Sequence, residues 1–346
     1  MRRARLLAPW RDNPEGPPAV YHCVSRVVDR RRVFGTVEKE HFVRLMRRYE
    51  RFCGVRVLTY TVMSNHFHLE VEVPPRPLEG LTRQQLLERL LLIKRKGEVA
   101  QIERHLDERR EAGDEAGVAA IMERYLYRMW DLSEFMKSLL QCFTKWFNQR
   151  HQRTGTLWEG RFKSSLVQGG YAARVVGAYI DLNPVRAGLE NGPERYRWSG
   201  YAEAVAGGTR AREGITRLVE RYERLGGRQS TQRSWREISA AYRKLLYHDG
   251  EEQVRENPAT GKLEVVRRGF ASAEVDAVLE DGGHLPLGAV LRCRLRALVE
   301  GAVIGSQAFV EELSRAERER WGGKRQKQAR PVNGSGSKLF TLRALR

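Results

Sequence analysis

The chain has 346 residues, 41% hydrophobic and 30% charged, which is enough apolar content for a real core and a length that suits two domains or one with large insertions. Its 62 Lys and Arg against 43 Asp and Glu leave a formal charge of +19, which points to a polyanionic partner, nucleic acid ahead of an anionic membrane. No apolar run reaches the roughly 18 residues of a membrane span, and the basic start of the chain lacks the apolar stretch of a signal peptide, so a cytoplasmic setting is expected. The four cysteines, Cys23, Cys53, Cys142 and Cys293, show no Cys-x-x-Cys spacing, which argues against a zinc ribbon or a disulfide framework and for reduced thiols.

Residues 1–16 read as a basic N-terminal arm. From Ala19 to Val28, β-branched and aromatic residues predict a strand, followed by the basic connection Asp29-Arg30-Arg31-Arg32. Val37 to Phe52 repeats at helical spacing, with Phe42, Leu45, Met46 and Tyr49 on one stripe, and Gly54 is placed to end the helix. Val55 to Val62 predicts a second strand, and Ser64-Asn65 a tight connection into a third, His66 to Val73, paired antiparallel to it. Residues 76–130, charged and helical, read as an insertion. Ser133 is the expected N-cap of a helix running to about His151. A glycine-punctuated loop, Gly155 to Val167, leads into another strand. Tyr171 to Asn183 predicts a helix that Pro184 stops or kinks. The order of elements over 17–204 predicts an α+β fold, a ferredoxin-like antiparallel sheet with helices on one face. Residues 207–346 read as a mainly helical, basic extension and a possible DNA-binding module. It includes helical stretches at 234–247, 286–300 and 310–330 and a flexible Asn333-Gly-Ser-Gly-Ser337 linker.

Two constellations carry chemistry. A strand alternates faces, so His66 and His68 point the same way, about 7 Å apart along the strand, and can converge on one divalent ion. Tyr179 and Asn183 stand at i and i+4 on one helical face. A tyrosine hydroxyl can attack a phosphodiester when a metal polarises the phosphate, and two imidazoles with an amide oxygen leave open positions that suit Mg²⁺ or Mn²⁺. The same residues also admit a half-buried core tyrosine and a helix C-cap. The second constellation is Trp158-Glu159-Gly160-Arg161-Phe162-Lys163 with Lys145, where cations and aromatics alternate as a phosphate track with a stacking surface for bases. Here the alternative is a solvated basic surface with Trp158 in the core. Of the remaining histidines, only His22 lies on a strand expected to neighbour His66.

Four segments taken together resemble one family. Tyr21-His22-Cys23-Val24-Ser25-Arg26, Met63-Ser64-Asn65-His66-Phe67-His68, Leu157 to Ser164 and Tyr179 to Leu189 resemble, in order, the motifs of the IS200-like Y1 transposases, especially their REP-associated branch. The resemblance implies an HUH nuclease fold and a single-strand DNA transposase that cuts hairpin-containing DNA without ATP. It would carry His66 and His68 as metal ligands, Asn183 as the third ligand and Tyr179 as the nucleophile that forms a 5′-phosphotyrosine. Arg26, Arg161 and Lys163 would hold the DNA backbone, and the setting would be the nucleoid. Family members are either dimers or monomers. Two other readings of the same chain are an inactive DNA-binding regulator and a metal-dependent hydrolase that uses activated water.

Overall fold

A computed structural model describes residues 6–224, 233–249, 253–256, 263–267, 301–321, 328–332 and 339–343. β1 (Ala19–Arg26) is followed by α1 (Thr36–Cys53), whose apolar stripe buries Phe42, Leu45, Met46 and Tyr49. Gly54 closes α1 at φ 69°, a left-handed backbone that glycine adopts without strain. β2 (Arg56–Val62) and β3 (His66–Val73) pair antiparallel as expected, with a bulge at Leu58. The insertion forms α2 (Arg83–Leu90), α3 (Lys96–Glu111) and α4 (Glu115–Leu126), which dock Leu86, Leu90, Val99, Leu106 and Leu126 into the main core.

α5 (Leu132–Arg150) is capped by Asp131, not Ser133: the Asp131 carboxylate accepts the Glu134 N–H at 2.8 Å. A carboxylate at this position also meets the positive end of the helix. β4 (Lys163–Val167) precedes α6 (Tyr171–Asp181), which stops two residues before the expected end, and α7 (Asn183–Arg186) is a single turn starting at Asn183. Pro184 cannot donate to the Ile180 carbonyl, and the Thr61 hydroxyl (2.7 Å) and Asn183 amide (3.4 Å) supply donors in its place. α8 (Gly200–Val205), α9 (Thr209–Arg224) and α10 (Trp235–Asp249) follow.

The first four strands lie in the order β2-β3-β1-β4, the ferredoxin-like arrangement. The sheet separates two cores. Phe67, Leu69 and Val71 of β3 face Phe42, Met46 and Phe143 of α1 and α5. On the other side Val20, Leu58 and Val167 meet Val176 and Ile180 of α6 and Ile215 and Val219 of α9. Helices therefore cover the second face as well as the expected one.

After 207 the described residues include strands as well as the expected helices. Alongside α9, α10 and a helix at Gln307–Trp321, β5 (Gln253–Glu256) and β6 (Leu263–Arg267) form a hairpin. β7 (Gly301–Gly305), β8 (Arg330–Pro331) and β9 (Phe340–Arg343) extend the main sheet beyond β4, with β7 parallel to β4. The expected helix at 286–300 and the linker at 333–337 lie outside the described residues. Residues 6–16 are not a free arm: Ala8 is buried and donates its N–H to Tyr21 Oη at 2.9 Å, while Trp10 donates to the Pro17 carbonyl. Among the described residues no helix is long and apolar enough to cross a membrane.

Candidate active site

Strand register assembles the site. Residues directly opposite in a ladder point to one face, so the rows Arg26–His66, Val24–His68 and His22–Glu70 bring these side chains to the side of the sheet covered by α6. The next strand adds Lys163 opposite Val24 and Ser165 opposite His22. β2 adds Thr61 opposite His68 and Thr59 opposite Glu70. Phe67 points the other way into the first core and is fully buried, which fixes the orientation of both flanking histidines.

The imidazoles form a compact group. His66 and His68 ring centroids are 5.2 Å apart, nearly perpendicular at 83°. His66 Nδ1 lies 2.6 Å from Asn65 Oδ1, and His68 Nδ1 lies 2.9 Å from His22 Nε2. Burial, reinforced by Arg26, lowers the His66 pKa to about 4. Burial, with His22, His66 and Arg26 adding to it, holds His68 well below its usual value. Both rings are thus neutral at pH 7, the form that binds a metal.

α6 supplies the tyrosine. Gly177 lets the helix sit close to the sheet: a Cβ there would lie 2.8 Å from Leu218 Cδ1 and 2.9 Å from Glu70 Oε2. Asp181 ties the same helix down by accepting hydrogen bonds from Thr59 Oγ1 (2.8 Å), Tyr242 Oη (2.7 Å) and the Tyr201 N–H (3.1 Å). Tyr179, 4% exposed, directs its ring edge-on to His68 (5.7 Å) and His22 (6.0 Å). The Arg186 guanidinium lies 5.1 Å from the centre of the Tyr179 ring. Burial raises the Tyr179 pKa, while Arg186, Asn183 and Arg26 pull it back. Asn183 donates its amide to the Tyr179 carbonyl at 3.0 Å, which leaves Oδ1 as the atom it can offer a cation.

The remaining expected residues divide. Arg26 and Lys163 flank the histidines on the same sheet face, and Arg161 is exposed two residues before Lys163. Lys145 is exposed on α5, in the helical layer across the sheet. Trp158 corrects the stacking expectation. It is 8% exposed, donates Nε1–H to Thr144 Oγ1 at 2.9 Å and packs against Phe34, Phe67 and Phe143. Its ring fills the first core and offers no platform to a base. Arg186 and Asp181 escaped the sequence reading, although Arg186 follows Asn183 within the motif that carries the tyrosine. Among the described residues, no group of three or more His, Cys, Asp or Glu side chains could hold a metal. A cation here would depend on the two neutral imidazoles plus neutral oxygen donors.

Residues 18–77 match the family model described as "Transposase IS200 like". That segment spans β1 to β3, with Arg26, His66 and His68 inside it and Tyr179 beyond it. Among solved structures, a REP-associated tyrosine transposase bound to a REP hairpin is similar at 13% identity and a TM-score of 0.37, covering 60% of this chain and 86% of that one. No curated protein matches the chain.

Proposed function

We propose that this protein, whose residues 18–77 match the IS200-like transposase family model, cuts and rejoins single-stranded DNA at hairpins, with Tyr179 as its nucleophile. The observation that carries the reading is the meeting of His66, His68 and Tyr179 between β3 and α6, with Arg186 against the tyrosine ring.

The Tyr179 Oη forms a bond to the scissile phosphorus as the bond from phosphorus to O3′ breaks. The 5′-phosphate stays on the tyrosine, and the departing oxygen becomes a 3′-hydroxyl. The phenol loses one proton and O3′ gains one, so the balance closes without a cofactor. One phosphodiester replaces another, which is why no ATP is needed and why the step can run backwards to rejoin DNA. A buried phenol is reluctant to ionise, and Arg186, Asn183 and Arg26 favour its anion. Mg²⁺ or Mn²⁺, when held by His66, His68 and Asn183, supplies polarisation of the phosphate. Arg26, Arg161 and Lys163 hold the flanking backbone phosphates by charge, a contact that weakens with salt.

The test is covalent trapping on a denaturing gel, using a labelled hairpin oligonucleotide with Mn²⁺. Wild type is expected to give a protein–DNA adduct. Tyr179→Phe should give none while still binding the oligonucleotide, and His66→Ala should lose cleavage. An adduct that survives Tyr179→Phe sinks the assignment of the nucleophile, and cleavage without any adduct would favour activated water instead.

A further inference from the structure

His22 sits at the centre of the sheet on β1, one row from His68, and is 1% exposed. Its ring lies edge to edge with that of His68, 20° between planes and 5.2 Å between centroids. Its Nε2 meets His68 Nδ1 at 2.9 Å. In a neutral imidazole one nitrogen carries the proton and the other a lone pair, so one ring must donate here and the other accept. His68 can offer Nε2 to a cation only as the Nδ1-protonated tautomer. That tautomer makes His68 the donor and His22 Nε2 the acceptor, with the proton of His22 on its own Nδ1.

His66 has the same arrangement. Its Nδ1 faces the Asn65 Oδ1 at 2.6 Å, an oxygen that can only accept, so Nε2 of His66 is also left with its lone pair. Each of the two histidines is therefore matched to an acceptor at Nδ1. One acceptor comes from the adjacent residue, and the other from a different strand 46 residues away in sequence. At a buried position no water replaces a lost partner at His68 Nδ1, so the choice of tautomer falls to His22.

We propose that His22 is a positioning residue that fixes the tautomer and ring rotation of His68, and so keeps His68 Nε2 presented to a divalent cation. The inference rests on the reading of His66 and His68 as cation ligands, and its test separates the two.

The first measurement needs neither metal nor variant. Long-range ¹H–¹⁵N spectra of the full-length protein should show His68 protonated at Nδ1; a His68 protonated at Nε2 overturns the proposal. The second uses His22→Gln, whose Oε1 can accept near the position of Nε2, and His22→Met, which fills similar space and accepts nothing useful. In His22→Met the His68 tautomer should change. Its Mn²⁺ affinity, followed by the paramagnetic resonance of free Mn²⁺, should fall about 10–100-fold, while His22→Gln stays within about threefold of wild type. Equal affinity in His22→Met and wild type, or equal loss in the two variants with their melting temperatures unchanged, overturns the role. If His66→Ala binds Mn²⁺ as tightly as wild type, the cation reading fails by itself, while the tautomer spectrum of His68 still reports on His22.

Discussion

His41 lies flat on Trp146, ring centroids 3.8 Å apart and 9° between planes, and its pKa falls to about 4 because burial disfavours the charged ring and Arg44 and Arg48 repel it. The unfolded chain would hold this proton up to about pH 6.5, so between pH 6.5 and 4 it binds more protons than the folded protein does. Stability therefore rises with pH across that window. The contribution is complete above pH 6.5 and is lost as the pH falls through 4. His66 and His68 shift in the same direction, so the acid loss is shared among them. His41→Phe keeps a ring on Trp146 and removes the proton. Urea midpoints at pH 7 and pH 4.5 should lie closer together in this variant than in wild type, and an unchanged gap would show that His41 does not contribute. At this scale the sequence displayed the residues but not their surroundings. Trp158 and Trp146 both stand among cations, yet only the structure separates a core ring from one stacked at the surface. The sequence placed His22 on a strand expected to neighbour that of His66, but its contact with His68 depends on strand register, a long-range property that spacing within either strand cannot encode.

At the scale of elements, the fit of α6 against the sheet decides where Tyr179 sits. Gly177→Ala would push a methyl group against Leu218 and the buried Glu70 carboxyl, and the helix must lift to admit it. The expected cost is about 1–3 kcal/mol of stability, as for other additions to a filled core, with a matching loss of the covalent adduct as Tyr179 shifts. Gly97, in α3, has nothing within 4 Å of its missing Cβ. Gly97→Ala should therefore stabilise by roughly 0.5–1 kcal/mol and leave adduct formation unaltered. If both variants behave alike in thermal melts and trapping assays, close approach at Gly177 is not what seats the helix. The strands β1 to β3 and helix α1 were legible from alternation, from the stripe Phe42-Leu45-Met46-Tyr49 and from Gly54, all local signals. The junction after α6 was only half legible. Pro184 announced a break, but its position depends on Thr61 reaching the Ile180 carbonyl from another element. The cap of α5 was misassigned by two residues because Asp131 and Ser133 are both good caps, and the actual chain entry selects the former.

For the whole molecule, the last strands change what the sheet can do. β4 would be the edge of the four-stranded ferredoxin-like unit, a row of unpaired backbone groups open to another chain. β7 pairs with it in parallel, and β9 and β8 follow outward. Side chains reinforce the junction: Ser165 Oγ donates to the Gly301 carbonyl, and the Ser306 N–H donates to Gln168 Oε1 at 2.6 Å. Val303, Ile304, Leu339 and Leu342 are buried there, with Val303 and Leu342 in the first core and Ile304 and Leu339 in the second. The short strands at 301–305 and 340–343 carry few alternating residues, and their partner β4 lies far back in the chain, so composition gave a helical impression of a region that partly completes the sheet. A chain stopped at residue 300 should expose the β4 edge next to Lys163. Amide exchange in β4 should accelerate, and light scattering after size exclusion should detect self-association beyond that of the full chain. A truncated protein that associates no more than the full chain, with β4 fully protected, would mean that the first four strands are stable alone and that the C-terminal strands are an appendage to them.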